Sequence, residues 1–320
     1  MKQSEFIASR STRWLKWDKC YKQVKGKEYS TIPELPRLYR EICYDYMLAK
    51  SRNYSLHLQQ ELQIKINQGH QLLYREKSDG FNAFMKLMVL EFPATLRHFK
   101  RTTLLCFVFF FGAMALFAGI TYFDDAFIYY FVAPGQVASM EMMYDPSGPV
   151  QSMERHSDDD FRMFGVYVLN NISIAFRTFI YGLLLGLGSL YFLSFNAAVL
   201  GCVTGYLVQI GFSETFFPFV VTHGAFELTA IVIAGIAGLN LGFSVVAPGP
   251  YERIDALKFT ANKCLVLMYG TTVFLLIGSF IEAFWSSADY IGDTVKYTVG
   301  GICWLLVLLY LFFAGHYDES

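Results

Sequence analysis

The sequence has 320 residues, of which 54% are apolar and 17% are charged. A mean hydropathy of +0.35 is too high for an ordinary soluble domain of this length, which excludes a water-soluble globular protein and favours an all-α integral membrane protein. The net charge of −1 conceals an asymmetry between two parts of the chain. Residues 1–101 contain 19 of the 26 Lys and Arg but only 10 of the 27 Asp and Glu, so their net charge is +9, whereas the net charge of the remainder is −10. These cations are interleaved with acids, so the lipid bilayer, and not nucleic acid, is the expected partner.

Residues 1–98 are predicted to form a basic helical domain, in the cytoplasm or at the membrane interface. No apolar run follows the first residues, so no cleaved signal peptide is expected. Thr31-Ile-Pro33-Glu34 is typical of a helix start, with a proline in the first turn. Trp14 and Trp17 lie among cations. They indicate either an amphipathic helix at the lipid headgroups or a small helical core closed by two indoles.

The stretch 81–101 precedes the first long apolar run and mixes bulky apolar side chains with cations. This composition predicts an interfacial elbow helix, with a bend at Pro93.

A membrane span needs about 20 mainly apolar residues, and six segments of residues 99–320 approach or exceed that length. The third is short and rich in glycine, so it either spans or re-enters the membrane. The segments are 103–123, 164–193, 196–212, 216–243, 264–284 and 297–314.

The positions of lysine and arginine predict the orientation of the spans. Arg97 and the neighbouring cations precede the first span, which places the N-terminal domain in the cytoplasm. The acidic connection 124–163 is then extracytoplasmic. A six-span count returns the basic loop 244–263 to the cytoplasm and leaves both termini there, whereas five spans would place that loop on the wrong side.

The six cysteines form no C-x-x-C pair, and four of them lie in apolar runs. They are expected to be reduced, packed residues, so neither a disulfide framework nor a cysteine metal site is predicted.

Polar side chains inside a span cost free energy unless they find partners, so they mark candidate functional residues. Glu227 follows His223 by four residues and shares its helical face, and Arg177 and Glu227 are expected near mid-depth, where they could pair. The predicted intramembrane polar cluster comprises Asn170, Asn171, Arg177, Asn196, His223, Glu227 and Glu282.

Three hypotheses explain His223 and Glu227: an interhelical hydrogen-bond network, a proton- or ion-conducting site, and a catalytic or metal site. The third is the weakest, because the pair supplies two ligands where zinc uses three or four. The sequence also contains no H-E-x-x-H, G-x-S-G or E-E-x-x-x-R motif. No catalytic residue, metal or cofactor is therefore predicted.

Small residues that recur at four-residue spacing let helix backbones approach closely. They predict tight packing of spans two to four and a homo-oligomer formed through the same surfaces. The predicted packing residues are Gly182, Gly186, Gly201, Gly205, Gly224, Ala234, Gly238 and Gly242.

These motifs resemble the stage II sporulation protein M family of bacterial inner-membrane proteins. The resemblance rests on Asn170-Asn171, the Gly182/Gly186 ladder, Asn196 before Leu200-Gly201, the block H-G-A-F-E-L at 223–228, and I-A-G-I-A-G-L at 233–239. Ile281-Glu282 and Phe92-Pro93 are further points of similarity, while Thr222 stands where the family often has proline. The resemblance covers about 90–315.

The resemblance implies a non-enzymatic scaffold of the bacterial envelope in the inner membrane. It implies partners such as peptidoglycan-remodelling proteins, a MoxR-type ATPase or a von Willebrand-like domain protein. The alternative is a channel or a proton- or ion-coupled transporter whose polar path is lined by His223, Glu227, Arg177 and Asn170/Asn171.

Overall fold

The computed structural model describes residues 3–24, 34–73, 80–148, 157–288 and 290–315, and these ranges are helical with no strand. The chain divides into two compact units, Met1–Gly80 and Phe81–Ser320. The first unit ends earlier than the boundary expected at residue 98, because Phe92 and Leu96 belong to the core of the second.

The first unit consists of three helices, α1 (Gln3–Val24), α2 (Leu35–Ser51) and α3 (Leu56–Leu73). Trp14 and Trp17 are 6% and 0% exposed within its core. The structure therefore supports the second interpretation of the tryptophans, a small helical core. Three of the four residues of the expected helix start, 31–33, lie outside the described residues, and α2 begins at Leu35.

The elbow precedes the first span and consists of α4 (Gly80–Lys86), a π-helical segment (Leu87–Glu91) and α5 (Phe92–His98). The helical path continues through Pro93, and the break falls at Phe99. The π-helical turn ends just before Pro93, which has no N–H to donate. Phe92 packs against Gly270, where an added Cβ would collide with its ring. Tight packing on a later helix anchors the elbow.

Within the ranges that the structure describes, six helices are long and apolar enough to cross a membrane, which confirms the predicted number. They are α6 (Lys100–Phe123), α8 (Ser157–Ile180), α9 (Leu187–Gln209), α10 (Ser213–Val246), α11 (Arg253–Ile281) and α12 (Asp293–Phe313).

The predicted bounds of the second and third spans are wrong. A 3₁₀ turn (Tyr181–Leu183) and residues 184–186 separate α8 from α9, so the apolar run 164–193 contains a reversal of the chain. Leu185 and Gly186 adopt positive φ values of 56° and 85° there, and glycine accepts that conformation without strain. The predicted segment 196–212 is the second half of a full-length helix and is not re-entrant.

The connection predicted at 124–163 contains folded structure. It includes a 3₁₀ helix (Asp125–Tyr130) and α7 (Pro134–Tyr144), and α8 already begins at Ser157. Thr215 Oγ1 donates a hydrogen bond to the carbonyl oxygen of Tyr144 at 2.5 Å, and the Tyr206 hydroxyl bonds Glu141. These bonds fix the described part of the connection to the spans.

Glycines bring the spans into main-chain contact. A Cβ at Gly182 would collide with the backbone of Gly238, and one at Gly242 with the backbone of Gly182 and Gly186. These contacts join the end of the second span to α10.

The pair Gly201 and Gly205 packs against a different helix from the one expected. Cβ atoms at Gly201 and Gly205 would collide with main-chain atoms of Met114 and Ala118, so α9 packs on α6, the first span. Gly224 makes no such close approach to another helix, whereas Ala234 is fully buried. Because Gly182, Gly201, Gly205, Gly238 and Gly242 all pack against other helices of the same chain, they give no basis for the predicted homo-oligomer, which stays a prediction.

Candidate intramembrane site

The central helix α10 carries His223 and Glu227 one turn apart. In its most apolar 18-residue stretch, 72% of the residues are buried inside the protein, compared with 11% in the corresponding stretch of α6. Residues four positions apart lie on one face, and this face meets α8 and α11. His223 is 5% exposed, and Glu227 is half-buried.

Glu227 bonds neutral groups from two neighbouring helices. The Asn171 side-chain amide on α8 donates to Glu227 Oε1 at 2.6 Å, and the Ser279 hydroxyl on α11 lies 3.5 Å from the same oxygen. Gly278 leaves the space that the carboxylate side chain fills, because a Cβ there would collide with Glu227 Cγ. The Glu227 side chain therefore joins three spans.

Glu282 completes a group of three possible ligands. It begins a π-helical segment (Glu282–Ser286) that follows α11, and such segments often occur at functional sites. One ligand atom from each of His223, Glu227 and Glu282 lies within 4.8 Å of the others.

His223 begins a second branch of polar contacts. Its Nδ1 lies 3.0 Å from Ser286 Oγ. Lys296, buried on α12, donates from Nζ to the Ser286 carbonyl oxygen at 2.9 Å, and Thr222 Oγ1 donates to the Lys296 carbonyl oxygen at 3.3 Å. The network therefore also reaches the last span.

Three predicted cluster residues do not join the site. Asn170 is exposed and donates to Asn171 Oδ1 at 3.2 Å, and no hydrogen bond among the described residues joins it to His223, Glu227 or Glu282. Asn196 donates to the carbonyl oxygen of Phe192 in its own helix at 2.7 Å.

Arg177 is exposed and forms no ion pair with Glu227. It lies six residues before the end of its span at Leu183, or about 9 Å along the axis. The turn at 184–186 ends that span earlier than predicted, so Arg177 lies nearer to its end than expected.

Sequence reasoning missed four polar participants: Thr222, Ser279, Ser286 and Lys296. Serine and threonine are common in membrane helices, so single residues carry little signal. Gly278, Glu282 and Ser286 recur at four-residue spacing, and this stripe was the available clue. Lys296 lay just outside the predicted sixth span at 297–314, although α12 begins at Asp293.

Imidazole and carboxylate groups that converge in this way can bind a proton or a divalent cation. Both carboxylates are half-buried. His223 and Glu227 supply two possible metal ligands, and Glu282 supplies the third.

Comparison with known families identifies the chain. The sequence model described as stage II sporulation protein M matches residues 101–287, more than half of the chain. The chain belongs to the stage II sporulation protein M family. All members of the site except Lys296 lie inside the matched range.

A second model, a domain of unknown function (DUF8413), matches residues 4–75. This range falls within the three-helix unit, so the separate match agrees with the division of the chain. No curated protein and no solved structure matches the sequence significantly.

Proposed function

We propose that this family member is a non-enzymatic scaffold of the bacterial cytoplasmic membrane, which holds envelope-assembly or peptidoglycan-remodelling proteins in place. The observation that carries the proposal is the main-chain contact between spans at Gly182, Gly238 and Gly242. Helices in backbone contact have no adjustable side-chain layer between them, which suits a rigid platform better than a bundle that opens and closes.

The three-helix unit supports recruitment of a cytoplasmic partner. It has its own core, and α2 presents Tyr44 and Met47, 59% and 63% exposed, at helical spacing. A MoxR-type ATPase or a von Willebrand-like domain protein is the partner class that the family resemblance suggests.

The distribution of basic residues supports cytoplasmic termini. His98 at the end of α5 accepts a hydrogen bond of 2.9 Å from Lys263 on α11, so two predicted cytoplasmic segments meet. Partial burial, with a contribution from the Lys263 cation, lowers the pKa of His98, which favours the neutral acceptor. Under the positive-inside rule this end of the bundle faces the cytoplasm, and α7 faces outward.

A channel or coupled transporter is the second candidate, favoured by the meeting of Glu227 and Glu282 within the bundle. Two of the remaining predicted path residues weaken it, because Arg177 is exposed and Asn170 bonds Asn171 and not a carboxylate. A flux measurement on the Glu227→Gln variant distinguishes the transporter from the scaffold.

Two measurements test the scaffold. Proteoliposomes that contain the full chain should show the same proton and cation flux as empty liposomes, and Glu227→Gln should change nothing. A pH-dependent flux that Glu227→Gln abolishes would contradict the scaffold and support the transporter.

The second measurement is isolation of the complex from native membranes. We expect the tagged chain to retain a cytoplasmic partner in fixed stoichiometry, and the double variant Tyr44→Lys/Met47→Lys to lose it. Leu15→Lys is the matched control, since Leu15 is a 61% exposed apolar residue of α1. Absence of any stoichiometric partner from the native complex would count against the proposal.

A further inference from the structure

We propose that His223, Glu227 and Glu282 form a binding site for one divalent transition-metal cation, of which Zn²⁺ fits best. The inference does not depend on the scaffold function. It rests on three features: the convergence of the ligand atoms, the charge balance, and the side chains that orient the ligands.

The geometry brings the three ligand atoms close to coordinating positions. Three atoms within 4.8 Å of one another share a centre no farther than 4.8/√3, or about 2.8 Å, from each. Zinc lies about 2.0–2.2 Å from nitrogen and carboxylate ligands. Side-chain adjustments of under about 1 Å therefore close the site.

The charge balance calls for a proton or a cation at the two carboxylates. Two ionised carboxylates this close repel each other strongly in a medium of low dielectric constant. The groups that bond Glu227, the Asn171 amide and the Ser279 hydroxyl, are neutral. Among the described residues, no lysine or arginine forms an ion pair with Glu227 or Glu282. A divalent cation would balance both negative charges.

Lys296 does not replace that cation. Its ammonium group donates to the main-chain oxygen of Ser286 at 2.9 Å. The rest of the site is formed by α10 and the π-helical segment, which contribute the imidazole and both carboxylates.

The surrounding side chains resemble the outer shell of a metal site. Ligating histidines commonly bond a second group through the other ring nitrogen, and ligating carboxylates are themselves hydrogen-bonded. Here Ser286 contacts His223 Nδ1, which leaves Nε2 for a metal, and Asn171 holds Glu227. Gly278 keeps the position of the Glu227 side chain open.

The ligand set selects the metal class. One imidazole and two carboxylates suit a borderline cation such as Zn²⁺, while calcium and magnesium prefer oxygen ligands alone. The cation would join α10 to the segment after α11, so its expected effect is to hold these two helices together.

The test uses the full-length chain, purified in detergent through a tag without histidine. The protein is stripped with EDTA, reloaded with Zn²⁺, desalted, and analysed for metal by inductively coupled plasma mass spectrometry. We expect about one Zn²⁺ per chain for the wild type. The melting temperature should fall by about 5–10 °C in EDTA and recover on reloading.

Three variants locate the site. Glu282→Gln keeps the shape of the side chain and should lower the zinc affinity by about 100-fold or more, with the same melting temperature in EDTA and in zinc. Glu282→Asp retains the carboxylate and should keep part of the affinity. Glu214→Gln is the matched control, because Glu214 is an exposed carboxylate on α10, the helix that carries His223 and Glu227, and it should bind zinc like the wild type.

Two outcomes would overturn the proposal. One is a wild-type chain that retains no zinc and melts identically with and without EDTA, which would show that the carboxylates hold protons. The other is equal zinc content in the wild type, Glu282→Gln and Glu214→Gln, the signature of an adventitious ion only. If neither Glu282 variant folds, the response of the wild type to EDTA and zinc decides.

Discussion

Asp45 in the three-helix unit and Glu227 in the membrane unit are both carboxylates packed between helices, but their partners differ. Asp45 is fully buried, accepts a hydrogen bond from the Trp14 indole at 3.0 Å, and pairs with Arg10 and Arg13 at 3.5 and 3.4 Å. Glu227 is bonded by an amide and a hydroxyl, and its charged neighbour is a second carboxylate, Glu282.

The difference shows what each group contributes. A buried charge that other residues of the same chain neutralise is part of the folded structure and needs no bound species for its stability. Buried carboxylates that bond only neutral groups must take up a proton or a cation from outside, so their energetics depend on a second species. This contrast separates a structural ion pair from a binding site.

The largest effect should come from Asp45→Asn. The change leaves two arginines without their buried counter-charge, and breaking such a pair costs about 3–5 kcal/mol. Hydrogen exchange in α1 and α2 should report a fall in the opening free energy of about 3 kcal/mol.

Glu34→Gln serves as the control for Asp45. The side-chain hydrogen bond from Lys16 lowers the pKa of Glu34, but both groups are exposed, so no measurable change is expected. Equal effects of the two substitutions would remove the distinction between the buried and exposed pairs.

Gly278→Ala should have the next largest effect, because the new methyl group collides with the Glu227 side chain. Overpacking of this kind costs about 1–3 kcal/mol, and thermal unfolding of the detergent-solubilised chain would measure it. Gly301 lies in α12 with open space around its Cα, so Gly301→Ala should be neutral or stabilising by up to about 1 kcal/mol. A Gly278→Ala protein as stable as the wild type would mean that Glu227 is not packed as described.

Glu282→Gln should have the smallest effect on stability when EDTA is present. Removing one of two neighbouring carboxylates relieves repulsion, so the melting temperature should stay constant or rise, by the equivalent of at most about 1 kcal/mol. This sign is opposite to that expected for Asp45→Asn. A large loss of stability in EDTA would show that Glu282 is a structural ion-pair partner after all.

The spans were predictable because apolar length is a strong signal, whereas their bounds were not. The turn between α8 and α9 is built from Leu184, Leu185 and Gly186, so hydropathy does not fall where the chain reverses. Arg177 was expected farther from the end of its span for the same reason.

The candidate site was predictable in part. The four-residue spacing of His223 and Glu227 fixed their common face, and the embedded Asn171 was flagged by its polarity. No local pattern showed that Glu282 meets them, because that contact depends on the packing of α11 on α10 and on the π-helical turn at 282–286. Conversely, Trp14 and Trp17 allowed two structures, and only tertiary packing distinguished a core from a membrane-surface helix.

X-ray absorption at the zinc edge of the reloaded wild-type chain tests the cation site most directly. The structure predicts a first shell of nitrogen and oxygen atoms at about 2.0–2.2 Å, with the outer-shell scattering of one imidazole. Sulfur at about 2.3 Å would instead place the metal on the cysteines, and such a spectrum would contradict the site at His223, Glu227 and Glu282.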